Sequence, residues 1–116
     1  MILHLCAAGE WTGADYRAPS LDTVGFIHCS DPGTVAIPAN ALYAGRTDLV
    51  LLEIDPARLD VPLRWEAGDP PHPDGILFPH VYGPIRAEAV VAVHPFPPSP
   101  DGTFELPASL AQRDPR

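Results

Sequence analysis

Histidine is the residue type in this sequence best suited to chemistry near neutral pH, because an imidazole gains or loses its proton there. The chain has five histidines. His4, His28 and His80 each stand in a run of apolar or aromatic residues typical of a β-strand. We therefore expect these three side chains to be partly buried and to share one polar cleft, whereas His72 and His94 have structural or solvated positions.

The charged residues narrow the choice of mechanism. All seven cationic side chains are arginines, and they face 15 Asp and Glu residues, for a formal net charge of −8. The absence of lysine excludes a Schiff-base lysine, a Ser-Lys dyad and a phosphate-loop lysine. The acidic balance argues against broad nucleic-acid binding, which depends on cations that neutralise phosphates. A phosphate ligand would need arginine or protonated histidine, so we expect a small cationic cleft in an acidic surface.

Length and patterning indicate one cytoplasmic domain. A chain of 116 residues can bury a real core without a disulfide or metal. The first residues lack the charged start and apolar run of a signal peptide, and no run approaches the length of a membrane helix. Cys6 and Cys29 fit no disulfide framework or zinc pattern, so we expect reduced thiols. No segment indicates an oligomeric state.

The pattern of apolar runs and turn residues predicts a small α+β domain. A short helix is expected over residues 7–16, another from Ser30 or Asp31 towards Tyr43 with a kink or restart at Pro38, and a helical turn over residues 56–59. The aliphatic run 49–54 should be central in a sheet. The strand that contains Pro62 should lie at an edge, because proline has no N–H to donate to a neighbouring strand. The predicted strands are 2–6, 25–30, 49–54, 61–66, 76–84 and 87–94.

The second half of the chain is rich in proline, since 13 of the 16 prolines lie at or beyond Pro56, and long helices are not expected there. Residues 68–75 are rich in turn-forming residues and are predicted to form a mobile surface loop. Residues 95–100 predict a polyproline-like segment, and residues 101–116 are expected to be peripheral.

Two segments resemble a known bacterial family, the one named domain of unknown function 952. They are Gly25-Phe26-Ile27-His28-Cys29-Ser30 and Phe78-Pro79-His80-Val81-Tyr82-Gly83-Pro84-Ile85, in this order, with Arg64-Trp65-Glu66 between them. The resemblance defines a family domain over residues 1–94 and a proline-rich extension over 95–116, packed on the domain or flexible. It implies two small antiparallel sheets with short helices and an ADP-ribosyltransferase-like fold, similar also to RNA 2′-phosphotransferases.

The resemblance also implies where a site would lie. ADP-ribosyltransferases carry a histidine on the opening strand, here His4, although Leu5-Cys6 follows it where those enzymes have Gly-Ser or Gly-Thr. Their second motif corresponds to His28 and Ser30, which share one face of a strand. The predicted catalytic residues are His28, His80 and Tyr82, and the predicted ligand-binding residues are His4, Ser30, Tyr43, Arg46, Glu66 and Arg86.

Three functions fit these residues. The first is an enzyme that transfers or hydrolyses an ADP-ribosyl or phosphoryl group of NAD or another phosphate-containing nucleotide, with histidines for proton transfer and arginines for phosphate. The second is a non-catalytic module that binds a small anionic ligand or a protein segment. The third is a histidine-ligated metal hydrolase, because hydrolytic zinc takes three protein ligands and a water. No HxH or HExxH spacing is present, so no metal ligand is predicted.

Overall fold

The computed structural model describes residues 1–111, which form a small α+β domain of two three-stranded antiparallel sheets. Three short helices and three single 3₁₀ turns, at Ala8–Glu10, Pro56–Arg58 and Ala87–Ala89, connect the strands. The helices are α1 (Ser20–Thr23), α2 (Ala36–Leu42) and α3 (Ala108–Ala111). The strands are β1 (Ile2–Ala7), β2 (Ile27–His28), β3 (Leu49–Ile54), β4 (Leu63–Ala67), β5 (Leu77–Val81) and β6 (Val90–Pro95).

The first sheet has the order β1-β3-β6, so the aliphatic strand β3 is central, as its sequence predicts. Leu52 and Ile54 point into a core shared with the second sheet. Leu49 and Leu51 point to the opposite face, where α2 and the C-terminal segment pack. A strand that is buried on both faces needs a nearly continuous aliphatic run, which explains the sequence of β3.

The second sheet has the order β2-β5-β4, and β4 is an edge strand, as Pro62 predicts. In β5, Val81 pairs with Ile27 of β2, and both side chains are completely buried against the shared core. The neighbouring residue His80 pairs with His28 on one side and with Arg64 on the other. Successive strand residues point to opposite faces, so this row of polar side chains lies on the face turned away from the core.

Two predicted elements are much shorter in the structure. The helix expected over residues 7–16 is wrong, because only Ala8–Glu10 forms a 3₁₀ turn and Gly13 adopts a left-handed φ of 85°. The strand expected over residues 25–30 contracts to Ile27–His28. The helix that contains Pro38 begins at Ala36 and not at Ser30 or Asp31, so proline occupies its first turn, where its missing N–H is not needed.

The expectation that residues 101–116 are peripheral is wrong for the part that the structure describes. Phe104 and Leu110 are buried in the second core, and the Phe104 ring stacks on Phe96 at a centroid distance of 4.9 Å. The Asn40 side chain bonds the backbone of Phe104 in both directions, at 2.7 and 3.1 Å. The C-terminal segment therefore completes the fold up to residue 111, and residues 112–116 lie outside the described residues. None of the described helices is long and apolar enough to span a membrane.

Gly83, which directly follows Tyr82, gives the first testable prediction. A Cβ at this position would lie 2.5 Å from Val61 Cγ1 and 2.9 Å from Val61 Cβ. We expect Gly83→Ala to lower the free energy of unfolding by about 1–3 kcal/mol, because Val61 or the backbone must move to relieve the overlap. Urea unfolding measured by circular dichroism tests this value.

Gly9→Ala is the matched control for this substitution. Gly9 has ordinary backbone dihedrals, and nothing lies within 4 Å of a Cβ added there. The control should change stability by no more than about 0.5 kcal/mol. Equal effects of the two substitutions would contradict the steric explanation.

Candidate functional site

A cleft with a volume of about 780 Å³ opens between β1, the segment 28–30, the α2 region and the loop from Gly68 to Pro73. The structure brings His4, His28 and His80 to its wall, together with Ser30. Sequence reasoning missed the contribution of the loop to the cleft. Six loop residues line it, three of them prolines: Gly68, Asp69, Pro70, Pro71, His72 and Pro73. The prolines of this loop therefore shape the cleft.

His80 is held by Glu66, and this contact is the chemical centre of the site. The His80 Nδ1 lies 2.9 Å from Glu66 Oε1, and the Tyr82 hydroxyl donates to the same oxygen at 2.5 Å. Hydrogen bonds from Tyr82 and then His80 lower the pKa of Glu66, so it is a carboxylate at neutral pH. A carboxylate only accepts hydrogen bonds, so the proton of a neutral His80 resides on Nδ1.

The second ring nitrogen of His80, Nε2, makes no hydrogen bond with the described residues, and His80 lies in the wall of the cleft. Within residues 1–111 no buried side-chain nitrogen or oxygen lacks a partner, and of the two His80 ring nitrogens only Nδ1 has a hydrogen bond there. Nε2 must therefore provide part of the 4% exposure that His80 retains. Phe26 stacks on the imidazole at 4.0 Å with an interplanar angle of 14°, which fixes the plane of the ring. The stacked ring thus has a fixed orientation, and Nε2 keeps a small exposed surface.

His28 is the second histidine on this face and is exposed. Its ring meets that of His80 edge to face at a centroid distance of 5.6 Å. Partial desolvation of the ring, and then the proximity of His80, lower the pKa of His28, which favours the neutral imidazole. Phe26 contacts the His28 ring as well, at 4.9 Å, so one phenylalanine positions both histidines. Phe26 stands two residues before His28 in the Gly-Phe-Ile-His segment, a spacing that could have identified it.

His4 is engaged entirely within the protein. Its Nδ1 donates to the carbonyl oxygen of His28 at 2.7 Å, so Nε2 accepts the hydroxyl hydrogen of Tyr16 at 2.9 Å. Complete burial lowers the pKa of His4 to about 4, and the ring is neutral in the physiological range. His4 therefore joins β1 to β2 at the base of the cleft. The sequence predicts Tyr16 at the end of a helix, whereas it forms an isolated bridge with Ile85, so sequence reasoning could not find its contact with His4.

The predicted phosphate-binding arginines are both paired. Arg46 lines the cleft beside Tyr43, but Asp48 accepts two hydrogen bonds from its guanidinium, at 2.9 and 2.6 Å. Arg86 contacts Glu88 at 2.8 Å and Asp60 at 3.8 Å, and it does not line the cleft.

The charge of the cleft differs from the cationic lining expected from the sequence. Glu10 and Asp69 line it, and its only arginine among the described residues is Arg46, which is paired. Tyr82 and Glu66 are not in its wall and reach it through His80. For the metal-hydrolase alternative, no three His, Cys, Asp or Glu side chains in the described part of the chain are grouped to hold a metal ion.

Together, the two sheets and the histidine-lined cleft define a small α+β domain with a candidate ligand site at the joint between the sheets. The chain belongs to the family described as protein of unknown function (DUF952), whose model matches residues 5–93. A search of curated proteins gave no match.

The fold is also similar to that of protein CC0527 from Caulobacter crescentus. Its X-ray crystal structure superposes with a TM-score of 0.80 at 28% identity, over 95% of this chain and 97% of that one. Its solution NMR structure gives a TM-score of 0.75 at 27% identity, over 97% of both chains.

The lowered pKa of His4 predicts how stability depends on pH. Below pH 6.5 the unfolded chain protonates this histidine, whereas the folded chain does so only near pH 4. The unfolded state thus binds more protons in this window, and stability falls as pH falls, by up to about 3 kcal/mol from this group. We expect His4→Gln to be less stable than the wild type at pH 7 but to lose less stability between pH 6.5 and 4.

Urea unfolding at a series of pH values measures this difference. His28 also has a lowered pKa and is present in both proteins, so its contribution cancels in the comparison. Identical pH slopes for the wild type and His4→Gln would contradict the assignment.

Proposed function

We propose that this protein is an ADP-ribosyltransferase-like enzyme that transfers or hydrolyses the ribosyl group of a nucleotide, with NAD as the first candidate substrate and His80 as the proton-transfer residue. The observation that carries the proposal is the Glu66–His80 pair, with Nδ1 bonded at 2.9 Å and the imidazole in the wall of the cleft. A base oriented by a carboxylate behind it is the arrangement that general acid–base catalysis uses.

The chemistry at His80 balances without a metal or a redox partner. Water or an acceptor hydroxyl attacks the anomeric carbon of the ribose while Nε2 takes its proton. The C1′–N bond breaks, and nicotinamide leaves as a neutral molecule with the bonding pair. Glu66 stabilises the imidazolium formed in this step, and the proton then passes to solvent. Tyr82 keeps Glu66 in place, because its own hydroxyl stays protonated when it donates to the carboxylate.

Two further features support a nucleotide ligand. The cleft volume of about 780 Å³ is within the range of small-molecule and cofactor sites. The resemblance to ADP-ribosyltransferases implies a ligand between two antiparallel sheets, and here the cleft lies where β1 of one sheet bonds to the segment after β2 of the other, through Leu3 and Ser30. The sheet pairing and the position of the cleft are thus compatible with that class.

A binding module is the second candidate, and His4 is the observation that favours it. Both of its ring nitrogens are bonded within the protein, so it gives shape to the cleft and transfers no proton. If His80 also served only as a hydrogen-bond acceptor for the ligand, the same cleft would capture a ligand without turnover.

Substitutions of His80 and Glu66 test the proposed enzyme activity. We expect His80→Gln to lower the rate of NAD consumption by about 10²–10⁴-fold, the usual contribution of a positioned acid or base. Affinity for ADP-ribose should stay within a few-fold. Glu66→Gln should have a smaller effect on rate, because the imidazole remains but loses its negative partner. Nicotinamide release, followed by chromatography, measures the rate.

His94→Gln is the matched control. His94 contacts Glu53 at 2.8 Å, so it also belongs to a histidine–glutamate pair, but it lies on β6 and does not line the cleft. Its substitution should leave turnover per folded molecule unchanged.

A thermal-shift titration with millimolar NAD and ADP-ribose comes first, because any ligand of the folded state raises its melting temperature. No shift with either compound would defeat the proposal, and loss of affinity alone in His80→Gln would favour the binding module.

A further inference from the structure

The arginines of the described residues form ion pairs with one exception. Residues 1–111 contain five arginines and no lysine. Four of the arginines have a carboxylate oxygen within 4.0 Å, in the pairs Arg17–Asp22, Arg46–Asp48, Arg58–Asp55 and Arg86–Glu88. Arg64 is the one arginine in this part of the chain for which no carboxylate lies within that distance. In a chain of net charge −8, a cation left without an ion pair is a candidate for binding an external anion.

Arg64 lies next to the catalytic pair proposed above. It is opposite His80 in the β4–β5 register, and His80 is opposite His28 in the β2–β5 register. Residues that are directly opposite in antiparallel strands project from the same face, with Cβ atoms about 5 Å apart. His28, His80 and Arg64 therefore form one basic row across the sheet. The two histidines line the cleft, and Arg64, which is exposed, extends the row beyond it.

The guanidinium of Arg64 is already oriented. It lies over the ring of Tyr82, 5.1 Å from the centroid, and a cation–π contact of this kind leaves the N–H edge of the fork free for a ligand. Glu66 is the acidic group on the same face, two residues along β4. Its Oε1 accepts hydrogen bonds from both His80 and Tyr82, and these donors offset part of its charge.

We propose that the basic row is a phosphate subsite, in which Arg64 binds a phosphate group of the nucleotide through two N–H groups while His28 and His80 contact the part of the ligand inside the cleft. The planar fork of arginine matches two phosphate oxygens, and such charge-assisted bonds are the strongest that a partly exposed site offers. The subsite rests on the proposed function for the identity of the rest of the ligand. It transfers the phosphate-binding role from Arg46 and Arg86, which are paired, to Arg64.

The test compares ligands that differ only in phosphate. Binding of ADP, adenosine and inorganic phosphate to the intact protein is measured by NMR titration for the wild type, Arg64→Gln, Arg64→Lys and the control Arg86→Gln. We expect Arg64→Gln to weaken ADP binding about 10–100-fold, the cost of losing hydrogen bonds between charged groups. Arg64→Lys should recover part of that loss, because it keeps the charge but not the fork. Adenosine binding should stay within about twofold in every variant.

Arg86→Gln removes the same charge from a half-exposed arginine away from the basic row, so it measures the effect of losing one positive charge elsewhere. Melting temperatures of all variants show whether the fold is kept. The inference is overturned if Arg64→Gln binds ADP as the wild type does, or if Arg64→Gln and Arg86→Gln weaken it equally. If the wild type binds ADP through Arg64 but never consumes NAD, the subsite stands and the proposed enzyme activity fails. If NAD is consumed with a KM unaffected by Arg64→Gln, the enzyme stands and the subsite fails.

Discussion

The joint between the two sheets is the interaction on which the rest of the structure depends. Leu3 and Ser30 exchange two backbone hydrogen bonds, at 2.7 and 2.8 Å, and the His4 ring bonds the carbonyl of His28 beside them. Backbone groups buried at this point must find partners, and here strands of different sheets supply them. The joint brings β1 next to the segment that carries His28, and the cleft opens at this position. His4, which the sequence predicts as a ligand-binding residue, thus has a structural role at this joint.

The face of the second sheet combines a rigid scaffold with accessible polar groups. Ile27 and Val81 anchor two of its strands in the core, and the residues that follow or precede them project into the cleft. Phe26 covers the His80 ring, and Glu66 fixes its tautomer from the other side. Because each of these contacts comes from a different strand or strand end, the orientation of the imidazole is a property of the whole sheet.

Sequence reasoning identified the parts of this molecule that follow local rules. The β3 strand was predicted with its bounds because an aliphatic run flanked by Asp48 and Asp55-Pro56 has few other solutions. The shared face of His80 and Tyr82 followed from strand periodicity. The helix predicted over residues 7–16 does not form, because this segment pairs with distant residues such as Ile85. The pairing of Arg46 with Asp48 and the contact of Arg64 with the Tyr82 ring depend on the side-chain rotamers and on which strands are neighbours. No local sequence pattern encodes them.

The packing of Phe96, Phe104 and Leu110 has a consequence for where this domain ends. The family model stops at residue 93, yet these three side chains supply a large share of the core on the outer face of the first sheet. A chain cut at the end of the matched region would expose Leu49 and Leu51 of the central strand to water. The unit that is recognisable by sequence is therefore shorter than the unit that folds. A relative whose chain ended with the matched region would need a different segment, or a partner molecule, to cover an apolar surface of this kind.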